Sequence, residues 1–552
     1  MLIISSMSGY SQPTINSFNL LNKQVGLYQK AEWNINITAD FENPYSANEI
    51  SVDMILISPL GKEIILPCFF ESGNSSQSIW KARFAPRETG LYNYYFKITS
   101  QKISETSEKS SFKSEPSNKK GFLHINNLWT FKFDNGELFR GIGENIAWES
   151  RSWENEKWTY DYFLPTLSKN RGNFFRVWMS DWNLPLEWKI NGDTKRYKSS
   201  DEYFHPQGIK RLDEVIESAN SLNLYMMIAL DHHGALIENS SWVNSNYNSK
   251  NGGPAKTPAE FFTLESSKQM YKNRLRYLVA RWGYSTNIAA WEFFNEIDIT
   301  AFDQPDKKII PPSDITKWHD EMSTYLKGID PYDHIITTSI AYRDIDGLCS
   351  LSNMDLNQRH LYKYTGEIPK MINEYVNKFN KPFVVGEFGY EWDWNADFSK
   401  ITDGLIFDYK RGLWYGLFNP TPILPMTWWW EFFDEKNMTP YYKSVSEIND
   451  KMLAAGRGNF EILPINSGEI ESYCVKCEEK IFVYLLNNTE KVLESSIEIK
   501  VKNNGESHYQ TYTPISRKYS KPLKVKNTKE TLLIEKLNLK SKDELVIIIS
   551  TP

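Results

Sequence analysis

Two glutamates in this chain are placed to do acid–base chemistry. Glu296 follows Asn295 at the end of the apolar run 289–294 (AAWEFF), and Glu387 closes the run 383–386 (FVVG) ahead of Phe388 and Gly389. A pair of carboxyl groups can divide one reaction: one gives a proton to a leaving group, while the other attacks as nucleophile or activates water. Cleaving a glycosidic bond needs that division, with carboxyl groups about 5–5.5 Å apart for retention of configuration and about 6.5–9.5 Å for inversion. Sequence separation is silent on this gap, which is set by the elements carrying the two residues. A buried structural ion pair with arginine is the competing reading of the same glutamates.

Between residues 121 and 456 buried apolar runs alternate with amphipathic helical patterns, the rhythm of a parallel sheet wrapped by helices. Eight candidate strands are 139–147, 174–179, 225–230, 289–294, 335–340, 355–360, 383–387 and 423–428. Helical patterns fall between most of them, at 209–221, 266–282, 314–326, 368–379 and 403–414. The spacing predicts an α/β fold, a (β/α)8 TIM barrel with enlarged loops, in which reactive side chains gather where strands end. A doubly wound sheet fits less well, because no glycine-rich phosphate loop follows a strand. Segments 12–120 and 457–552 alternate with period two and predict an N-terminal and a C-terminal β-sandwich. The polar stretch 100–120, rich in Ser, Lys and Glu, reads as a linker or long loop.

Composition narrows the function. The chain has 552 residues, 41% hydrophobic and 24% charged, with a formal charge of −6. That balance offers no field for phosphate backbones, so nucleic acid is not an expected partner. No run approaches the ~20 apolar residues of a membrane span, so membrane insertion is not expected either. Four cysteines are too few for a disulfide scaffold; Cys474 and Cys477 read equally as a bridge or as two thiols. Residues 1–11 look like the end of an export signal, which predicts a secreted, periplasmic or cell-surface protein. The oligomeric state is not indicated.

The strand ends around the glutamates resemble clan A of the glycoside hydrolases, and within it family 5. The resemblance rests on an ordered set: Arg176 in FRVW, His232-His233 after Asp231, Asn295-Glu296, His360-x-Tyr362, Glu387 in GEFG, and Trp428-Trp429-Trp430. It implies that Glu296 is the acid/base, Glu387 the nucleophile, and Asn295 the partner of the sugar 2-hydroxyl. It further implies that Arg176 and Tyr362 touch the nucleophile, that His360 and one of His232 and His233 line the site, and that a Trp among 428–430 lies under the sugar. The doubled histidine and Val177-Trp178 depart from the usual pattern and leave the substrate open. The flanking segments resemble companions of such barrels only loosely.

Other readings of these residues are structural. Glu292 reads as a wall residue with a buried partner. Adjacent His232 and His233 point to opposite faces, and no further ligand sits at metal spacing, so neither metal nor other cofactor is expected. Three consecutive tryptophans cannot share one face; Trp429 is the favoured sugar platform, with Trp428 and Trp182 as further candidates. Of 19 Trp, 16 fall between Trp148 and Trp430, and Trp148, Trp153, Trp158, Trp188, Trp242, Trp392 and Trp394 could add sugar subsites. Glu149, Asp181, Glu391 and Asp393 could meet sugar hydroxyls. The expectation is a retaining hydrolase of β-linked polysaccharide or oligosaccharide, endo-acting on mannan-like or glucan-like chains. Alternatives are an exo-acting β-glycosidase whose cleft is closed by the insertion 241–258, a non-catalytic carbohydrate-binding barrel, and sandwiches that anchor the enzyme to glycan.

Overall fold

The computed structural model describes residues 12–149, 157–191, 196–302, 310–502, 505–528 and 530–550. The export-signal expectation (residues 1–11) and Trp153 lie outside them.

Two sheets open the chain. Thr14–Leu20, Ala31–Thr38, Gln77–Phe84 and Phe69–Asn74 form one; Val25–Gly26, Ser110–Glu115, Gly90–Ser100, Ile50–Ile57 and Glu63–Pro67, with Ile103–Thr106 beside Gly90–Ser100, form the other. Alternation puts Trp33, Ile35, Met54, Leu56, Trp80 and Phe96 into one shared apolar core. The expected linker at 100–120 is corrected here: Ile103–Thr106 and Ser110–Glu115 are paired strands. Phe112 alone carries the apolar signal, packing its ring on Trp33 at 5.3 Å and on Tyr92 at 5.1 Å, while charged residues occupy the exposed face. This region is bolted to the next by Arg276–Asp53 at 2.6 Å and by Ala85 donating to the Tyr332 hydroxyl at 3.0 Å.

The middle of the chain is mixed α/β and TIM-barrel-like. Gly143–Asn145, Phe174–Trp178, Tyr225–His232, Ile288–Asn295 and Ile335–Thr337 pair in parallel, each with the next, and Ser339–Ile340, Asn357–Tyr362 and Phe383–Gly389 do likewise. The expected strand 139–147 is divided: Leu138–Phe139 joins a small antiparallel sheet, and Gly143–Asn145 enters the parallel set. At Gly143 a Cβ would fall 1.6 Å from the Phe174 carbonyl oxygen, so only glycine permits this approach. The expected strand 423–428 is a set of isolated parallel bridges rather than a continuous ladder, since Pro425 has no N–H to give. It still bonds on both sides, with Met426 donating to the Val385 carbonyl at 3.1 Å and Leu424 to the Gly141 carbonyl at 2.8 Å.

After Tyr442–Gly456 the chain returns to strands, in seven- and four-stranded sheets around Ile481, Val483, Ile497, Leu532 and Ile547. Cys474 and Cys477 sit three apart on one strand and face different cores; all four cysteines are buried free thiols.

Candidate active site

The site grows from Arg176, which is wholly buried in Phe174–Trp178. Its Nε and Nη2 donate to the two oxygens of Glu292 at 2.6 and 2.7 Å, Nη1 to Glu387 at 2.7 Å and to Asn145 Oδ1 at 3.0 Å, and Nη2 also to Asn295 Oδ1 at 2.8 Å. Gln358 completes the shell of Glu292, donating at 2.8 Å. Burial opposes the charge on Arg176, but the carboxylates of Glu292 and Glu387 more than offset it and hold its pKa above the ordinary value.

Glu387 ends up between two donors, because Tyr362 gives its hydroxyl proton to the second oxygen at 2.7 Å. Two-residue alternation in Asn357–Tyr362 puts His360 on the same face. His360 Nδ1 lies 2.9 Å from a Glu296 oxygen and 3.4 Å from a Glu387 oxygen. Facing carboxylates assign its proton to Nδ1, and burial pushes its pKa down to about 4, so the ring is neutral. His360, Glu296 and Glu387 bring one ligand atom each within 4.8 Å of one another. These are the donors a cation would find among the described residues, although Arg176 already supplies positive charge to Glu387.

Glu296 adopts a left-handed backbone, φ 55°, as the strand Ile288–Asn295 breaks into the short helix Ile297–Phe302. Its N–H donates to Ser339 Oγ at 2.9 Å. Asp298 anchors the turn by accepting from the backbone of Ala341, Tyr342 and Arg343 at 2.7–3.0 Å. The strained conformation is thus held from the neighbouring strand end. Burial raises the pKa of Glu296, with His233 working against it; burial also raises Glu387, with His360 and Arg176 working against it. Arg176 donates to Glu387 and not to Glu296, an arrangement that favours the ionised form at Glu387.

The doubled histidine divides. His233 Nδ1 reaches within 3.4 Å of both Glu296 and the Asn295 amide. His232 is buried away from the two carboxyl groups, stacked on Trp178 at 6.0 Å and edge-on to Trp182 at 4.8 Å, and its pKa falls to about 3 through burial.

The tryptophans form a linked wall. Trp148 touches Trp178, Trp182, Trp428 and Trp430 edge-on at 5.1–6.0 Å and stacks on Trp394 at 5.9 Å. Trp178 also lies 5.8 Å from the Arg176 guanidinium, which ties the wall to the carboxylates. Trp429 is turned aside by φ 59°; its indole donates to the Glu391 carbonyl at 2.6 Å and its ring packs on Trp394 and Phe398. Trp428 packs on Trp178 at 5.4 Å and edge-on to Trp148, which stacks on Trp394.

Of the four acids considered for sugar contacts, Glu149 is occupied by Arg211 at 2.6 Å and Arg196 at 3.3 Å. Asp181 accepts from Ser241 and Asn244, and Glu391 and Asp393 cap their own loop. Sequence reasoning missed Asn145 and Gln358 and treated Trp178 only as a departure. Asn145 had one local signal, its position two residues beyond Gly143 on the same face of a strand.

Residues 134–403 match the cellulase (glycosyl hydrolase family 5) model, and residues 24–99 match a domain of unknown function (DUF5060). The middle of the chain, just under half of its length, is thus similar to the glycoside hydrolases of family 5. Among particular relatives, mannan endo-1,4-beta-mannosidase A of Podospora anserina is 26% identical, covering 34% of this chain and 52% of that protein. Mannan endo-1,4-beta-mannosidase F of Aspergillus clavatus is 28% identical, covering 24% of this chain and 26% of that one. The chain thus spans about half the length of the first relative and about a quarter of the second. A crystal structure from Bacteroides vulgatus ATCC 8482, of a provisionally named glycoside hydrolase, superposes with TM-score 0.67 at 13% identity. It covers 96% of this chain and 100% of that one, and shares the fold.

Proposed function

We propose that this chain is a retaining, endo-acting β-glycanase that cleaves mannan-type polysaccharide. The observation that carries the mechanism is the approach of a Glu296 oxygen to a Glu387 oxygen within 4.8 Å. That gap favours direct attack by one carboxylate over the wider spacing that admits a water. Glu387, ionised against Arg176, attacks the anomeric carbon while Glu296 protonates the leaving oxygen. Glu296 then takes a proton from the water that releases the glycosyl enzyme. Arg176 fixes Asn295 Oδ1, which turns the amide NH2 outward to a 2-hydroxyl. The curated relatives' names favour mannan, and the tryptophan wall suits a chain of several sugars. The cellulase model supports β-glucan as a second substrate reading.

In the same reading the parallel strands are a closed (β/α)8 barrel at 121–456, flanked by β-sandwich domains at 12–120 and 457–552. The enzyme works outside the cytoplasm, where polymeric glycan is found. The test is hydrolysis of galactomannan and mixed-linkage β-glucan by purified protein, with NMR of the first-formed anomer and early product sizes. Early oligosaccharides of mixed length and retained configuration support the proposal. Monosaccharide alone points to exo action, and an inverted anomer removes the mechanism.

A further inference from the structure

The five exposed aromatic side chains among the described residues are Tyr342, Tyr364, Tyr390, Trp392 and Trp394. All of them lie on segments that follow Ser339–Ile340, Asn357–Tyr362 and Phe383–Gly389, on the rim that carries Glu387. Large rings gathered on one rim mark a surface that is covered in use. Trp392 lies 5.4 Å from the Lys363 ammonium, and Trp394 packs on Trp429 at 4.6 Å, at the mouth of the site.

Tyr390 turns outward instead. Its ring lies on Gly404 of the helix Phe398–Leu417, where a Cβ would come within 2.8 Å of the ring. Glycine inside a helix is unfavourable by about 1 kcal/mol. Here it leaves a flat seat, so one face of Tyr390 is backed by the helix while the side chain stays 40% exposed.

The Tyr390 ring borders a cavity of about 640 Å³ between this helix and the C-terminal sheet region. Phe407 also lines it, with the Arg411 guanidinium 5.1 Å and the Lys542 ammonium 5.2 Å from its ring. Asp403 and Asn488 line it too, with side chains that hydrogen-bond to no protein group among the described residues. Aromatic faces for sugar C–H groups, with an acceptor and an amide for hydroxyls, suit a pyranose chain. Acidic and basic groups balance along the wall, which favours a neutral polymer over an acidic one.

We propose that this groove is a second carbohydrate site, binding a neutral β-linked polysaccharide outside the carboxylate pair, with Tyr390 as its stacking platform and Asn488 contributed by the C-terminal region. It rests on the reading of the barrel site as a polysaccharide hydrolase. The test uses the full chain carrying Glu387→Gln, run by affinity electrophoresis through galactomannan and mixed-linkage β-glucan, with excess mannotetraose occupying the cleft. Tyr390→Ala and Asn488→Ala each weaken retardation about tenfold, the equivalent of ~1.4 kcal/mol. Gly404→Ala, which keeps the helix but crowds the ring, does the same. In a chain with Glu387 intact, Gly404→Ala leaves kcat/KM on mannotriose unchanged, which excludes general misfolding. Unchanged retardation in all three variants overturns the groove even where the unmodified chain cleaves polymer. Tyr390-dependent retardation without cleavage of either polymer keeps the groove and removes the hydrolase reading.

Discussion

The guanidinium of Arg176 and the carboxylate of Glu292 form a two-point ion pair, 2.6 and 2.7 Å, in which neither side chain is exposed. Glu292 thereby fixes the cation that, among the described residues, touches Glu387. Removing one partner of a buried pair leaves the other charge uncompensated, so Glu292→Ala should destabilise the fold by about 3–5 kcal/mol. Urea unfolding measures this, and a loss below ~1 kcal/mol would show that the pair is solvated.

The two carboxylates should fail differently. Glu387→Gln abolishes turnover of aryl glycosides whatever the leaving group. Glu296→Gln loses about 10²–10⁴-fold on poor leaving groups and far less on activated ones. Azide restores Glu296→Gln with retained product. Azide rescue of Glu387→Gln alone would exchange the two roles.

Burial raises both carboxyl groups above the ordinary glutamate value of 4.5. In the proposed mechanism Glu387 must lose its proton to act, which sets the acidic limb of kcat/KM, and Glu296 must keep its own, which sets the alkaline limb. Both limbs therefore lie at higher pH than for exposed glutamates. Tyr362→Phe removes a donor to ionised Glu387, so the acidic limb should move further up while the alkaline limb stays. Arg176→Gln moves the same limb in the same direction. A shift to lower pH in either variant contradicts the assignment of Glu387.

Phe112 is the one apolar anchor of a strand otherwise polar in sequence. Phe112→Ala should destabilise the N-terminal sheets by about 3–5 kcal/mol, as for other buried aromatic truncations. Limited proteolysis within 100–120 reads the loss directly. An uncut segment with unchanged melting would return that stretch to the status of a loop.

All four cysteines are buried thiols, and burial pushes Cys349 and Cys477 up to about 12. Thiol reagents at pH 8 should label the folded chain slowly and all four sites after denaturation, and reducing agents should leave the melting temperature unchanged. A fall in melting temperature on reduction would reveal a bridge.

Much of this protein is written locally. Apolar runs ending in Asn295-Glu296, His360-x-Tyr362 and Glu387 announce strand ends, since period and composition are properties of short segments. The charge, the family resemblance and the alternating flanks are legible in the same way. What the sequence left open depends on partners distant along the chain. Arg176 and Glu292 look unrelated until the parallel sheet brings their side chains into contact across the intervening strand Tyr225–His232. His232 and His233 differ only once the fold turns one to the carboxylates and the other to tryptophan. Trp428 and Trp429 part company because Trp429 takes a left-handed backbone and bonds the distant Glu391 carbonyl. The gap between Glu296 and Glu387 is likewise a distance across strands, and only tertiary packing, which sums many weak contacts from separate segments, could set it.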